Sequence, residues 1–322
     1  MAAPGKRIIR TAVDWSSVGV TLLAFLAGRF TYRSEAEWKE RIASGEITLN
    51  GKAVLPEYIL QMHDMIEYHP QDIPEPPAQL DYRIVFEDDI LLVVSKPGNL
   101  CIHPSGPFYQ HTLWYQLRQK YANIHFINRL DRETSGLLVA TKTPEAAAKI
   151  AETDAVFDKT YQVIVHGKFD RPVNAAGFLT SAASVIRKKR HFVTQLAPGQ
   201  DGESALTTLT PLRYTEKFSL LQAVLGTGRT HQIRATCCSL GYPVAGDKLY
   251  GVDELLFLKQ KTEDFTPAER EKLLLPRQAL HSTKLSLRHP ASGEVLNFTD
   301  PLPPELADFA EQNIPQGENY HG

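Results

Sequence analysis

At 322 residues the chain is long enough for about two domains. Its 43% hydrophobic and 22% charged residues match an ordinary globular protein and exclude a fibrous or wholly disordered one. A net charge of -2 gives no global pull on a polyanion, so any such partner has to be held by a local basic groove. The 3 cysteines, Cys101 and the vicinal Cys237 and Cys238, lack C-x-x-C spacing, which argues for reduced thiols over a zinc site or a disulfide framework.

Lys6, Arg7 and Arg10 precede an apolar run, Val18 to Ala27, in the manner of a secretion signal. Phe25 and Leu26 nevertheless stand where a cleavage site needs small side chains. The run is also far short of the ~20 residues of a membrane span. Leu22, Leu23, Leu26 and Phe30 fall instead on one helical face, so a cytosolic protein with no membrane partner is expected. After an N-terminal extension (1–17), residues 18–69 read as a small module. A first helix, Leu22 to Phe30, is followed by a second that Ser34 caps, with Trp38 and Ile42 turned inward and Gly45 at its end. Ile47-Thr-Leu-Asn-Gly51 is a strand running into an Asn-Gly hairpin turn, and His63 to Tyr68 is a further strand. Four prolines between His69 and Pro77 favour extended, semi-rigid backbone, so 70–80 is expected to be a linker.

The second domain is expected over 81–312, with a frayed tail at 313–322. Ile90 to Val94 is a buried strand, followed by the turns Ser95-Lys-Pro-Gly98 and Ile102-His-Pro-Ser-Gly106. His103, before a proline in a turn, reads as a group that satisfies backbone rather than as a general acid. Thr112 to Tyr121 is an amphipathic helix, and Pro144 starts another. Lys159 to Val165 is a strand by its β-branched alternation. Ser219 to Leu225 is a strand that turns at Gly226-Thr-Gly228 into a helix capped by Thr230 and running to Gly241. Gln278 to Leu287 and Val295 to Phe298 close the domain as strands.

One stretch organises the rest: Ile127-Asn-Arg-Leu-Asp-Arg-Glu-Thr-Ser-Gly136, leading into the apolar Leu137 to Lys142. Arg129 and Arg132 bracket Asp131, and nearby positive charge keeps a carboxylate ionised. Walled off from water, such a carboxylate is a usable nucleophile or base. The same pattern also fits a salt-bridge cluster at a strand entry. A separate basic run, Ile186-Arg-Lys-Lys-Arg-His191, concentrates charge in a chain that is otherwise near neutral. Arg187, Lys188, Lys189 and Arg190 are therefore expected to meet phosphates.

The organising stretch resembles the signature of the RluA-type pseudouridine synthases, His-Arg-Leu-Asp-x-x-Thr-Ser-Gly, with Asn128 in place of the leading His. Lys159-Thr-Tyr-Gln-Val-Ile-Val-His-Gly167 and Leu225-Gly-Thr-Gly-Arg-Thr-His-Gln-Ile-Arg234 resemble that family too, in the same order. The first module is similar to an S4 RNA-binding domain through Ile42 to Ile47, Asn50-Gly51 and Asp64 to Ile66, with Arg29, Arg33, Lys39 and Arg41 as its basic candidates. The resemblance implies an α+β fold: a mixed, mostly antiparallel central sheet with flanking helices and a cleft, preceded by a small S4-like module. It implies a monomeric isomerase, free of cofactor and metal, that converts uridines of structured rRNA or tRNA to pseudouridine. Asp131 would be the essential carboxylate, Arg229 its ion-pair partner, Tyr161 a flat wall for the extruded base and Ile233 an apolar contact beside the ring. Arg129 or Arg132 would fill the space that the nucleotide leaves. The rivals are a catalytically silent RNA-binding or ribosome-assembly protein on the same fold, hinted at by Asn128, and a glycosidase using Asp131 with Glu133.

Overall fold

The computed structural model describes residues 8–30, 33–70, 75–152, 156–184, 186, 189–259 and 264–316. The chain divides into two compact units, Met1–Pro76 with Pro104–Gln110, and Pro77–His103 with His111–Gly322.

In the first unit, β1 (Ile9–Ala12), α1 (Leu22–Arg29), α2 (Glu35–Ala43), β2 (Ile47–Leu49), β3 (Lys52–Ala53) and β4 (Met65–Tyr68) form two helices and a four-stranded sheet. The strands run in the order β1-β4-β2-β3. Ser34 starts α2 as expected, in a capping box with Glu37. Asn50 and Gly51 both take left-handed backbone, the conformation that a two-residue hairpin between β2 and β3 demands. Leu22, Leu26, Trp38, Ile42, Ile47 and Ile66 bury the faces that the periodicity indicated. The stretch expected as an N-terminal extension contains β1, which pairs with β4 from Ile9 opposite Tyr68 to Ala12 opposite Met65. Four alternating residues are too short a strand to stand out in the sequence. Among the basic candidates, Arg41 pairs with Glu46 at 2.6 Å and Arg33 lies 3.6 Å from Glu37. Of the expected linker, 71–74 lie outside the described residues. Glu75 accepts hydrogen bonds from the backbone N–H groups of Tyr109 and Gln110, which ties the 104–110 loop to this unit.

The second unit opens with β5 (Arg83–Glu87), β6 (Leu91–Lys96), α3 (Leu113–Arg118), β7 (His125–Phe126), β8 (Ser135–Thr141) and α4 (Pro144–Glu152). It continues with β9 (Val156–His166), β10 (Val173–Ser181), β11 (Arg190–Val193), β12 (Glu203–Tyr214) and β13 (Phe218–Leu225). Last come α5 (Gln232–Ser239), α6 (Leu256–Lys259), α7 (Pro267–Leu273), β14 (Leu280–Arg288), β15 (Val295–Thr299) and α8 (Pro304–Asn313). Eleven strands make one sheet in the order β11-β10-β12-β13-β9-β14-β8-β6-β5, with β15 on β14 and β7 on β8. Among the described strands of this sheet the one parallel pairing is β14 with β8; the others are antiparallel. This is a mixed α+β fold with helices against a central sheet, as the resemblance implied. Every residue of β8 is buried, so its near-continuous apolar run follows from having both faces covered. Ile314 is fully buried against α8, so packing continues past the expected end of the domain at 312. Among the described residues no helix is long and apolar enough to cross a membrane.

Candidate active site

A cleft of about 290 Å³ opens where the loop before β8, strand β9 and the β13–α5 turn come together. Asp131 sits in its wall on the loop, and three sets of contacts fix that loop. Asn128 accepts a hydrogen bond from the Val139 N–H at 2.8 Å, clamping the entry of the loop to β8. The fully buried Lys96 ammonium donates to the carbonyls of Pro97, Leu100 and Arg132. Burial, and then the charge of Arg277, brings that lysine down to about 7. On the far side, Gln278 donates to the Thr134 hydroxyl at 2.6 Å, and Lys248 pairs with the buried Glu133 at 2.7 Å. Gly136 then enters β8 with φ near 109°, and a Cβ there would lie 2.3 Å from the Ser282 carbonyl on β14.

Arg234, on the first turn of α5, donates to the Asp131 Oδ2 at 2.6 Å. Its other face makes a two-point contact with Asp247, Nε to Oδ2 at 2.6 Å and Nη2 to Oδ1 at 2.8 Å. Burial by itself would raise the Asp131 carboxyl; the Arg234 guanidinium overcomes it and holds the carboxyl below its ordinary value. Arg234 is held above its ordinary value by the two carboxylates, against its own burial. The His231 Nε2 lies 3.7 Å from the Asp131 Oδ1. Tyr161 lines the cleft from β9 and is buried, its hydroxyl pushed up to about 12 by burial. Ile233 adds an apolar wall. The result is an ionised carboxylate, partly exposed to the cleft, with an aromatic and an aliphatic surface beside it.

The family described as RNA pseudouridylate synthase matches residues 90–239, which carry the Asp131 loop, Tyr161 and Arg234. An RNA pseudouridine synthase of Bacillus subtilis (strain 168), itself uncharacterized, is 30% identical over 304 residues, spanning 89% of this chain and 92% of its own. The chain belongs to the RNA pseudouridine synthase family. A similar match joins it to the ribosomal large subunit pseudouridine synthase D of Zymomonas mobilis, at 30% identity over 313 residues, 90% of this chain and 92% of that one. Among solved structures, human RNA pseudouridylate synthase domain containing 1 aligns with a TM-score of 0.54 and 26% identity, covering 71% of this chain and 86% of the other.

Seen as a pseudouridine synthase, the chain brings Asp131, Tyr161, Ile233, Arg129 and Arg229 to one cleft, from three segments distant in sequence. The expected pairing of Arg229 with Asp131 is corrected. Arg229 precedes α5 in the turn, where its Nε donates to the Ser204 carbonyl at 3.3 Å and its Nη1 lies 3.9 Å from Glu203. The ion-pair partner is Arg234, whose place on the helix turns it inward. The sequence carried a sign of this: Arg234 is flanked by Ile233, Ala235 and Cys237, all buried, and a buried guanidinium requires carboxylates. Thr230 does not cap α5 either; His231 occupies the cap position with left-handed backbone. Arg132 is turned to Glu133 at 3.4 Å, while Arg129 lines the cleft. In the basic run, Arg187 and Lys188 lie outside the described residues. Lys189 is ion-paired with Glu254, and Arg190 with Glu203. Glu133 is engaged by Lys248 and does not line the cleft, so it does not supply the second acid of a glycosidase pair with Asp131.

Proposed function

We propose that this chain isomerises uridines in structured RNA to pseudouridine, with Asp131 as the reacting carboxylate and the RNA of the large ribosomal subunit as its substrate. The observation that carries the reading is the Asp131 carboxylate: Arg234 binds one of its oxygens, and the cleft that holds it is walled by Tyr161 and Ile233. The reaction breaks the C–N glycosidic bond, rotates the base and rejoins it through carbon. Asp131 acts at the ribose or at the ring, as nucleophile or base. Tyr161 gives the everted base a surface to stack on, worth roughly 1–3 kcal/mol, and Ile233 supports the ring edge. Arg129, at the cleft wall, fills the space that the nucleotide leaves. Water has to be excluded, because a detached base that escaped would leave the RNA abasic. Eversion costs a few kcal/mol and least in loops, so a loop uridine is the target. The ribosomal choice follows from the large-subunit synthases among the relatives.

The first unit, with two helices against a small sheet, is read as an S4-like RNA-binding module, and Arg187 to Arg190 as a further phosphate contact. Such a protein acts in the cytoplasm, as a monomer. A catalytically silent RNA binder had Asn128 as its motif-level hint. Asn128 clamps the loop to β8, a task that its amide performs directly, so the hint loses its force. The test is to incubate the purified chain with unmodified transcripts of large-subunit rRNA and of tRNA, and then map pseudouridine. Modification of the rRNA by the native chain, its loss in Asp131→Asn and retained RNA binding by that variant are expected. Normal turnover by Asp131→Asn would discard the assignment, and modification confined to tRNA would move the substrate.

A further inference from the structure

His231 opens α5 in an unusual way. Its backbone is left-handed, with φ 59° and ψ 18°, and its side chain makes no cap hydrogen bond. Such a conformation is uncommon for a non-glycine residue and persists where the surroundings impose it. Cap residues normally turn their side chain back to the helix amides. The Gln232 side chain instead ties the helix start to the preceding turn, accepting from the Arg229 N–H at 3.0 Å and from the Thr227 hydroxyl at 2.8 Å. The imidazole makes no cap bond and is placed near two other groups. Its Nδ1 is 3.0 Å from the Tyr250 hydroxyl, and its Nε2 is 3.7 Å from the Asp131 Oδ1.

We propose that Tyr250 and His231 form a positioning relay for Asp131. Tyr250 fixes the imidazole in the tautomer with its proton on Nε2, and that N–H orients the carboxylate oxygen that Arg234 leaves open. Two independent contacts set the tautomer. The Tyr250 oxygen already accepts the Arg190 backbone N–H at 2.9 Å, which leaves its own proton available to donate to Nδ1. Burial pushes that hydroxyl up to about 12, so the proton is present at any working pH. The opposite tautomer would aim the Nε2 lone pair at an ionised carboxylate. At 3.7 Å the imidazole attracts the oxygen without occupying it as a full hydrogen bond would, which leaves Oδ1 able to reach a substrate atom. Tyr250 serves the other oxygen too: the Arg234 guanidinium stacks 5.0 Å over its ring. One buried side chain therefore braces both neighbours of the carboxylate.

The inference rests on the functional reading in that it assigns a consequence to the orientation of Asp131. It is tested with Tyr250→Phe, which removes the hydroxyl and keeps the ring under Arg234. His231→Asn tolerates left-handed backbone but is too short to reach Asp131, and His231→Gln restores an N–H of similar reach. In protein labelled with 15N-histidine, with the ring assigned by its loss in His231→Asn, the native His231 should carry its proton on Nε2. Tyr250→Phe should show a mixture of tautomers. With rRNA as substrate, kcat should fall about 10-fold in Tyr250→Phe and about 100-fold in His231→Asn, the scale of a misplaced reacting group. KM should stay within about twofold, and His231→Gln should recover part of the loss. A native ring protonated on Nδ1, or a Tyr250→Phe enzyme with unchanged kcat, would overturn the relay. A native chain that modifies no RNA would overturn the functional reading instead, and the tautomer spectrum would still decide the relay.

Discussion

Arg229 and Arg234 belong to one motif and carry the same charge, yet burial gives them different tasks. Arg229 is half-exposed at the cleft wall, and its 3.9 Å contact with Glu203 is of the screened surface kind, worth about 0–1 kcal/mol. Arg234 joins Asp131 and Asp247, and its removal leaves the buried Asp247 carboxylate, and the half-buried Asp131 beside it, without their cation, a loss of about 3–5 kcal/mol. Arg234→Ala should therefore be strongly destabilised in urea titrations, whereas Arg229→Ala should unfold with the native protein. Where Arg234→Lys folds, it should lose most turnover, because an ammonium cannot reproduce the fork that spans the two acids. Asp131 and Tyr161 were legible from their motifs. The partner of Asp131 was not, because the choice between two arginines depends on which one the helix turns inward. Glu133 looked like a second acid and proves to be a buried brace, engaged by Lys248.

At the scale of elements, the Asp131 loop is shaped by where β8 begins. Gly136 is the point at which β8 and β14 come side by side, with Ser282 opposite it. Gly136→Ala combines a left-handed backbone angle with a Cβ placed against a carbonyl, so it should cost about 2–4 kcal/mol and displace Asp131. Thermal unfolding would show the first effect and a fall in kcat the second; native values for both would mean that β14 can retreat freely. Strands and helices with strong periodicity or turn chemistry were readable in advance: α2 by its Ser34 cap, β2 by its run into Asn50-Gly51, and β8 by its leucine and valine run. The start of α5 was misread because Thr230 has the better cap chemistry, while tertiary contacts of the imidazole decide in favour of His231. The two-residue β3 and β7 and the four-residue β1 carry too little pattern to be read locally.

For the whole molecule, pH and salt are the informative variables. His103, His166 and His281 all have values lowered from 6.5, in each case chiefly by burial. The unfolded chain therefore binds their protons first as pH falls, so this contribution is complete above about pH 6.5 and is lost as the folded rings titrate below it. The buried His281 ring can contribute up to about 1.4 kcal/mol per pH unit, and the exposed His103 ring contributes least. Denaturant midpoints should drop from pH 7 towards pH 5, and more shallowly in His281→Gln; a flat profile would contradict the sign. Asp131 and Asp247 continue the trend in stronger acid, because their carboxyls are held below 3.8. In RNA binding, neutralising Arg187, Lys188, Lys189 and Arg190 should flatten the salt dependence by about 0.7 in log–log slope per lost phosphate contact. The last two should contribute less, because Glu254 and Glu203 already hold them. An unchanged slope would return the run to the role of a solvated edge.

The middle of the large sheet has an unusual consequence for synthesis. Ser135 bonds to His281, 146 positions downstream, and β14 separates β8 from β9. A ribosome adding ~5–20 residues per second needs roughly 7–30 s to cover that distance. From the completion of β9 onward, two strands wait for the neighbour that belongs between them. Translation that halts before β14 yields a nascent polypeptide with an open seam through its centre, a natural substrate for chaperones and quality-control proteases.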